Sequence, residues 1–419
     1  MNDIDIEQIA AWVVARGLAG ASETDLMDGF CTRCHAAGLE LSRGLTIIDT
    51  LHPIYEGRAF RWRSDGVEES AVIEYGPTNE GEAAENWQNS AFYHILKIGA
   101  DELRCRLGPT DPADFSTLQT LREQGQTDYF AMVQRFADRG TIGEMDCFYS
   151  SWTTADPDGF CESTLAALRR LVPSLALAIK CASLARIAGT LVEVYLGQDA
   201  GERVLSGRIS RGVAERISAV LWFSDLRGYT TITDTAPPDE VIPLLNDYAD
   251  AVITSIREAG GEVLKLIGDG TLAIFKSDDR AEACRSALRA EAALRERQRA
   301  LNAQRMDQNR PVTSVYLGLH IGDVFYGNIG SRDRLDFTVV GPAVNEVSRI
   351  ASMCRSVDRE LLMSSAFRSG LDAAGRNYLV STGRFALRGI SRAQDLYTLD
   401  PDITADEVVG GKYERYLSS

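Results

Sequence analysis

The sequence lacks any run of about 18 apolar residues, which is roughly the length that crosses a membrane as a helix. Its most apolar segment, residues 171–197, is interrupted by Lys180 and Arg186. The N-terminal segment carries acidic residues where an export signal carries positive charge. We therefore expect a cytoplasmic protein that makes no contact with a membrane.

Basic residues are also too few for a nucleic-acid-binding surface. Lys and Arg total 44 against 60 Asp and Glu, which gives a formal net charge of −16. Binding to nucleic acid requires a basic patch, so this function class is excluded. The hydrophobic fraction of 45% and the charged fraction of 25% are those of a folded globular protein. At 419 residues the chain exceeds what one core usually serves, so we expect two domains.

The eight cysteines are spread along the chain and do not form a disulfide framework. One local pattern, Cys31–Thr–Arg–Cys34–His35, has the spacing of a covalent haem attachment site. Such attachment normally takes place outside the cytoplasm, and the surrounding residues have the periodicity of an amphipathic helix. We therefore interpret Cys31 and Cys34 as buried helical residues of a protein core.

The first region, residues 1–170, alternates between helical and strand-like segments, which predicts an α+β module of the sensor type. Helical periodicity covers residues 5–20 and 23–41. Strand-like patterns cover four segments: 44–51, 58–64, 128–136 and 145–154.

The second region, residues 171–215, has a helical pattern. Apolar residues recur every seven positions and again four positions after each, as in the seam of a parallel coiled coil: Leu177, Cys181, Leu184, Ala188, Leu191 and Tyr195. We expect a helical linker that dimerises through this seam. A helix packed on its own domain is the alternative.

The third region, residues 216–400, reads as strand, helix, strand, strand, helix, strand. These elements are predicted at 217–223, 239–260, the two arms of a hairpin over 262–275, 279–304 and 312–322. This βαββαβ order is that of a ferredoxin-like sheet, so the fold class is α+β.

Two aspartates of this region occupy strand ends. Asp225 follows the first strand, and Asp269 lies at the Gly-Asp-Gly tip of the hairpin. Because the first strand pairs beside the hairpin in such a sheet, we expect the two carboxylates to lie side by side. They repel unless a cation separates them, and oxygen ligands suit Mg²⁺. The N–H groups of the turn that holds Leu226, Gly228 and Tyr229 can then cradle phosphates. The alternative is that both are ordinary turn residues, since Asp-Gly is favoured in hairpins.

Four ordered motifs in residues 216–400 resemble the catalytic domain of class III adenylyl and guanylyl cyclases: FSDLRGYTTITD, VLKLIGDGTLAIF, LHIGDVFYGNIGS and TVVGPAVNEVSRI. The resemblance implies conversion of a nucleoside triphosphate to a cyclic nucleotide and pyrophosphate. It also implies a head-to-tail homodimer with active sites at the subunit interface and two Mg²⁺ or Mn²⁺ ions per site. Two such ions, about 3.5–4 Å apart, activate the attacking hydroxyl and neutralise the leaving group.

The resemblance further assigns residues to roles. Asp225 and Asp269 would hold the metals on one subunit, and Lys265 and Thr338 would recognise the base on the other. Asn345 would orient the ribose, and Arg349 would stabilise the transition state. Arg388 would bind the terminal phosphates.

The residues at the base position favour ATP. Lys donates and Thr both donates and accepts, which suits the N1 acceptor and amine donor of adenine. We thus predict an adenylate cyclase. The alternatives are a guanylate cyclase or a catalytically silent cyclase-like signalling partner; a diguanylate cyclase lacks support because its Gly-Gly-Asp/Glu-Glu-Phe hairpin is absent. Thr338 replaces the Asp of many relatives, as in a bacterial subgroup often stimulated by bicarbonate.

The N-terminal region resembles the GAF-like sensor half of many bacterial cyclases. This resemblance implies an unidentified regulatory ligand in residues 1–170. Phe60, Trp62 and Tyr55 are interpreted as core residues, and residues 401–419 as a tail.

Overall fold

The computed structural model describes residues 2–66, 71–108, 115–136, 142–143 and 145–400. The chain divides into two compact units, Met1–Leu191 and Val192–Ser419. The predicted tail, residues 401–419, lies outside the described residues.

The N-terminal unit combines helices with one antiparallel sheet. Its elements are α1 (Asp3–Leu18), α2 (Glu23–Ala36), β1 (Arg43–Asp49), β2 (Gly57–Arg63), β3 (Val72–Tyr75), α3 (Gly81–Gln88), α4 (Ala91–Ile98), β4 (Glu102–Arg106), α5 (Ser116–Glu123), β5 (Asp128–Arg135), β6 (Cys147–Thr154) and α6 (Glu162–Leu196).

The sheet of this unit has six strands in the order β3-β2-β1-β6-β5-β4. Side chains on one face pack with α1, α2 and α6 into a core that includes Phe60 and Trp152. Side chains on the other face pack with α3, α4 and α5. The two predicted helices and four predicted strands are confirmed, whereas β3, β4 and α3 to α5 were not predicted. The GAF-like assignment stays a prediction.

Cys31 and Cys34 face the core from α2, as the sequence indicated. Both thiols are buried and free, and His35 beside them is exposed. Burial raises the pKa of the Cys34 thiol to about 12 and the pKa of Cys31 well above its ordinary value. These protonated, inaccessible thiols do not form a haem attachment site.

The long helix α6 begins at Glu162, earlier than the predicted linker, and passes through Pro173 without ending. One of its faces is buried in the core of the N-terminal unit and includes Leu168, Leu175 and Ile179. An ion pair adds to this attachment, because the buried carboxylate of Glu23 on α2 accepts hydrogen bonds from Arg186, which is 42% exposed, and from Ser183. By length and composition α6 is the one helix of the described residues that passes as a membrane span, although a third of its most apolar window is buried.

The residues of the predicted seam lie only partly outside this core. Leu177 and Tyr195 are 61% and 80% exposed and Cys181 and Ala188 are exposed, whereas Leu184 and Leu191 are half-buried and pack against the core of the N-terminal unit. Four of the six residues are thus uncovered within this chain, and the dimer seam stays a prediction. The helical pattern does not extend to residue 215, because a second short helix ends at Leu205 and a strand begins at Ala214.

The C-terminal unit is a larger α+β structure. Its elements are α7 (Gln198–Leu205), β7 (Ala214–Leu226), α8 (Tyr229–Thr235), α9 (Pro238–Glu258), β8 (Glu262–Ile267), β9 (Gly270–Phe275), α10 (Arg280–Asp307), β10 (Val315–Gly330), β11 (Leu335–Val340), α11 (Pro342–Val357), β12 (Leu361–Ser364), α12 (Ser365–Gly370), α13 (Ala373–Asn377), β13 (Leu379–Phe385) and β14 (Gln394–Leu399).

The predicted βαββαβ unit forms the centre of this sheet, in the spatial order β10-β7-β9-β8 with antiparallel neighbours. That is the strand order of a ferredoxin-like fold. Strands β12, β14 and β13 extend the sheet beyond β10, and β11 pairs with the far end of β10. This extension was not predicted from the sequence.

Helices cover both faces of the central strands. Trp222 and Phe275 pack with α9 and α10 on one face, and Leu221 and Ile274 pack with α11 on the other. Alternate residues of β7 and β9 thus enter two cores, which fixes the strand register because a one-residue slip would exchange the two faces. The strand ends that carry Asp225 and Asp269 are positioned by this register.

Candidate active site

The strand register places Asp225 beside Asp269. Ser224 of β7 lies opposite Thr271 of β9, so the residue after Ser224 meets the hairpin tip before β9. The backbone N–H of Leu226 donates to Oδ2 of Asp269 at 3.3 Å. Both aspartates line one cavity of about 180 Å³, which side chains of α9 close on another side. The two carboxylates therefore converge as predicted.

The backbone of the hairpin does not require an aspartate at its tip. Gly268 has a φ of +64°, whereas Asp269 is not among the residues with positive φ. Gly270 is required for a different reason, since a Cβ there would lie 2.9 Å from the carbonyl oxygen of Ser224. The turn explanation therefore accounts for the glycines and leaves the carboxylate of Asp269 to be explained by its surroundings.

Those surroundings are electrostatically unfavourable for two ionised carboxylates. Burial, a hydrogen bond with Asp269 and the charge of that neighbour together raise the pKa of Asp225 to about 7. Proximity of like charges has this effect, and a bound cation relieves it. Among the described residues no group of three or more His, Cys, Asp or Glu could hold a metal. A pair of carboxylates completed by substrate oxygens is a donor set that fits Mg²⁺ or Mn²⁺.

The turn after β7 offers fewer free amides than the sequence suggested. The N–H of Leu226 is bonded to Asp269, and the N–H of Arg227 donates to the carbonyl oxygen of Ser314 at 2.8 Å. Gly228 and Tyr229 follow, with Gly228 at a φ of +68° before the first turn of α8. The expected phosphate cradle is thereby narrowed to the amides of Gly228 and Tyr229.

The predicted base-recognition residues lie on β8 and β11. Lys265 donates a hydrogen bond to Oδ2 of Asp336 and forms an ion pair with it. Thr338 is two residues further along the same strand and so on the same face as Asp336. It is buried and lies opposite Gly327 of β10. The contact of Asp336 with Lys265 was not predicted from the sequence, because only the folded sheet brings β8 beside β11.

Two glycines of β10 seat the helix that carries Asn345 and Arg349. A Cβ on Gly318 would meet the backbone N of Ala351 at 2.7 Å, and one on Gly322 would meet the Cβ of Ala343 at 2.7 Å. Helix α11 therefore lies close against the strand at two points. This contact fixes the outer face of the helix, on which Asn345 and Arg349 are both exposed.

Asn345, Arg349 and Arg388 do not line the cavity that holds the aspartates. Arg388 is exposed in the turn between β13 and β14. Within the part of the chain that the structure describes, these three side chains have no hydrogen bond or ion pair. One chain thus brings Asp225 and Asp269 together beside the N–H of Leu226. It also brings Lys265 to Asp336. The side chains of Asn345, Arg349 and Arg388 do not reach the two carboxylates.

Comparison with known families covers this half of the chain. Residues 213–401 match the adenylate and guanylate cyclase catalytic domain. This region is a class III cyclase domain. Its boundaries coincide with β7 to β14, so the matched family accounts for the whole extended sheet.

The cyclase domain is similar to catalogued bacterial enzymes. An adenylate cyclase from Anabaena cylindrica is 32% identical over 200 residues, which cover 48% of this chain and 38% of the relative. Adenylate cyclase 1 from Rhizobium meliloti (strain 1021) is 30% identical over 166 residues, covering 38% of this chain and 24% of the relative. The chain thus matches well under half the length of either relative.

A similar solved structure is the adenylyl cyclase CyaB from P. aeruginosa. It is 24% identical, with a TM-score of 0.41, and the match covers 46% of this chain and 97% of that one.

Proposed function

We propose that the chain is an adenylate cyclase that converts ATP to 3′,5′-cyclic AMP and pyrophosphate. The observation that carries the proposal is the convergence of Asp225 and Asp269 in one cavity of a cyclase-family domain. The carboxyl of Asp225, whose pKa is raised by burial and by the neighbouring Asp269, is poised for a divalent cation. Among the described residues, neither carboxylate has an ion-pair partner that would explain their proximity otherwise.

The reaction forms a bond between the ribose 3′-oxygen and the α-phosphorus and breaks the bond to pyrophosphate, while the hydroxyl proton is lost. When bound, Mg²⁺ or Mn²⁺ supplies charge neutralisation at the phosphates and lowers the pKa of the attacking hydroxyl. Asp225 and Asp269 hold the cations. The amides of Gly228 and Tyr229 donate to phosphate oxygens.

The remaining contributions come from orientation and from charge. Asn345 holds the ribose so that its 3′-oxygen is in line with the leaving group. The guanidinium of Arg349 neutralises charge on the α-phosphate in the transition state, and Arg388 binds the terminal phosphates. Exposed side chains on a firmly seated helix suit this task, because they are free to contact substrate.

The complete site requires two copies of the chain. A cavity of about 180 Å³ is smaller than the roughly 300–1,000 Å³ of typical small-molecule sites. The second copy would add Lys265, Thr338, Asn345 and Arg349. Exposed apolar side chains support such an interface: Leu266 is 55% exposed at the hairpin, and the directly opposed Phe325 and Val340 are 53% and 41% exposed.

ATP is the preferred substrate in this proposal. The ammonium of Lys265 has three donors, of which Asp336 engages one. The others can donate to N1 of adenine, and the Thr338 hydroxyl can accept from the exocyclic amine. Guanine presents N1–H and a carbonyl in the reverse pattern. The alternatives are guanylate cyclase activity and a catalytically silent partner.

In this proposal the protein is cytoplasmic, and its N-terminal unit regulates the cyclase domain through α6. The exposed stripe around Leu177 and Tyr195 supports pairing of two α6 helices, which would set the geometry between the two cyclase domains. Thr338 also leads to a separate prediction, that bicarbonate stimulates the enzyme. Equal rates of cyclic AMP formation at fixed pH with added bicarbonate and with added chloride would contradict this prediction.

Purified protein incubated with ATP or GTP and with Mg²⁺ or Mn²⁺, followed by separation of the products, tests the function. We expect cyclic AMP and pyrophosphate in equal amounts and less cyclic GMP from GTP. The Asp269→Ala variant should form neither. Dominant cyclic GMP would support the guanylate cyclase alternative, and absence of any product with every ion would support the silent partner.

A further inference from the structure

The N-terminal unit contains a cavity of about 1610 Å³ that none of the proposed catalytic residues lines. Its floor is the face of the sheet opposite α6, and helices α3, α4 and α5 contribute the rest of its wall. The volume exceeds the roughly 300–1,000 Å³ of typical small-molecule sites. The cavity therefore has room for an organic ligand together with water.

The middle of the cavity is apolar and aromatic. Leu45 and Ile47 of β1, with Trp87 and Tyr93 of the covering helices, are only half-buried although they lie on this wall. The ring of Trp87 packs edge-on against Tyr149 at 5.5 Å and against Tyr93 at 6.3 Å between ring centroids. Partly uncovered rings in a fixed arrangement offer stacking and edge contacts to a planar apolar group.

One end of the cavity is basic. Arg43 of β1 and Arg63 of β2 are directly opposed in the strand register, and Arg61 lies opposite Leu45 one step along the same face. Like charges directly opposite each other destabilise a strand pair. Three arginines on one face are also unusual for a chain with a net charge of −16.

Protein groups also contact the arginines at this end. Arg63 donates to both carboxylate oxygens of Asp65, at 3.0 and 2.6 Å, Arg43 donates to the side-chain oxygen of Gln124, and each of the three arginines has a further contact. Thr153 and Ser151 of β6 lie opposite Arg43 and Leu45 and line the same end. The Thr153 hydroxyl already donates to the side-chain oxygen of Gln126 at 2.7 Å, so the guanidinium groups are the donors at this end that suit a carboxylate, sulfonate or phosphate.

The opposite end is acidic, with the carboxylates of Asp49, Glu56 and Asp146 on its wall. Asp49 accepts a hydrogen bond from the Tyr75 hydroxyl at 2.9 Å, and Glu56 accepts from the backbone N–H and the hydroxyl of Thr78. Asp49 and Arg43 are the two ends of β1, which at about 3.3 Å per residue are roughly 20 Å apart. An anionic group is therefore directed to the arginine end, and an attached ring reaches the aromatic middle.

From this arrangement we propose that the cavity of the N-terminal unit binds a small organic anion with a planar apolar ring. The ring lies against Trp87 and Tyr93, and the anionic group binds Arg43 and Arg63. The proposal concerns binding alone and stands whether or not the chain cyclises nucleotides.

Two fluorescent probes that share an apolar ring system test the proposal on the full chain. The probe 8-anilinonaphthalene-1-sulfonate carries an anionic group, and N-phenyl-1-naphthylamine lacks it. We expect the sulfonate to bind at one site per chain and more tightly than the neutral probe. Raising the NaCl concentration severalfold should lower the affinity of the protein for the sulfonate probe, because salt screens the charged contact. The affinity for the neutral probe should not change. Equal affinities with equal salt responses would overturn the proposal without any variant.

Substitutions then locate the site. Arg43→Gln combined with Arg63→Gln should lower the affinity for the sulfonate probe by about tenfold or more, because charge-assisted hydrogen bonds are lost. The affinity for the neutral probe should fall by less than about twofold. Trp87→Ala should lower the affinity for both probes, because both use the apolar ring contact. Arg170→Gln, a half-exposed arginine of α6 that pairs with Asp3 away from the cavity, is the matched control. Wild-type affinity for the sulfonate in the double variant would refute the site.

Discussion

Lys265 on β8 donates its ammonium group to the carboxylate of Asp336 on β11, and so joins two strands that are not hydrogen-bonded neighbours in the sheet. The lysine proposed to read the purine is thus held by a residue on the strand that carries Thr338. Asp336 is a positioning residue in this account, since it acts through Lys265. The side chains are 37% and 42% exposed, so the pair contributes little stability and its effect falls on orientation.

Asp336→Asn should raise the KM for ATP by about threefold to tenfold with a smaller change in kcat, because Lys265 loses its anchor while the reacting groups are untouched. The free energy of unfolding should change by less than about 1 kcal/mol. Asp333→Asn, in the turn before β11, is the control, because that residue bonds Ser331 through its backbone N–H. Steady-state kinetics decide the matter: a fall in kcat alone, or the same effect in the control, contradicts this role.

The raised pKa of Asp225 predicts how the metal-free protein responds to pH. The folded state holds a proton on this carboxyl up to about pH 7, whereas the group ordinarily titrates near 3.8. The folded state therefore binds more protons between these values, and stability falls as pH rises through them. Asp225→Asn removes the repulsion with Asp269 and should be more stable than wild type at pH 8 in a chelator, with the difference vanishing near pH 4.

Thermal unfolding with and without Mg²⁺ checks this prediction. Mg²⁺ at pH 8 should raise the melting temperature of wild type, because the ion binds the folded state, and should raise that of Asp225→Asn much less. The variant should also lack cyclase activity. A wild-type melting temperature that is insensitive to both pH and Mg²⁺ would show that the two carboxylates do not form a cation site.

Arg349→Ala should lower kcat by about 10³-fold or more, in line with positioned arginines in other phosphoryl transfers. Its melting temperature should remain that of wild type, since the side chain is exposed on α11. Arg349→Lys keeps the charge but not the planar fork, so it should restore only a small part of the rate. Arg355→Ala, also exposed in the last turn of α11, is the matched control. An Arg349 variant that loses activity only by unfolding would contradict the assignment.

Residues 217–304 illustrate how much of the fold could be predicted from sequence. Their elements are long and have clear periodicity, and a Gly-Asp-Gly tip marks the hairpin. The βαββαβ order, and with it the proximity of Asp225 to Asp269, could therefore be predicted from the sequence. The short strands β11 to β14 carry four to seven residues each. Runs of that length give little periodic signal. Strands β11 and β12 pair with β10, and β13 and β14 pair with each other, which the sequence does not indicate. Asp336 was missed because its partner Lys265 is distant in sequence.

The N-terminal unit shows a second limit. Its strands β1, β2, β5 and β6 were predicted because they alternate or are rich in aromatic and β-branched residues. Helices α3, α4 and α5 have eight residues each and were not recognised. The large cavity beneath them could therefore not be predicted from the sequence, although the sequence contains Arg43, Arg61 and Arg63. Only the antiparallel register places these arginines on one face.

Inserting two residues after Gly189 in α6 should change the rate of cyclic AMP formation by about fivefold or more, the size of a typical coupling between sites. The insertion rotates the downstream chain by roughly 200° relative to the seam. Inserting seven residues at the same point is the matched control, because one heptad restores the register of a coiled coil. Both variants should retain the melting behaviour of wild type. Equal rates in wild type and the two-residue variant would exclude signalling through the helix.

The most direct test of the shared active site is to mix two inactive variants. Asp225→Asn combined with Asp269→Asn leaves Arg349 intact, and Arg349→Ala leaves both aspartates intact. A mixed dimer then has one site with every group present, so an equal mixture that exchanges subunits at random should recover about a quarter of wild-type activity. A mixture as inactive as its components, with subunit exchange verified, would contradict an active site built from two chains.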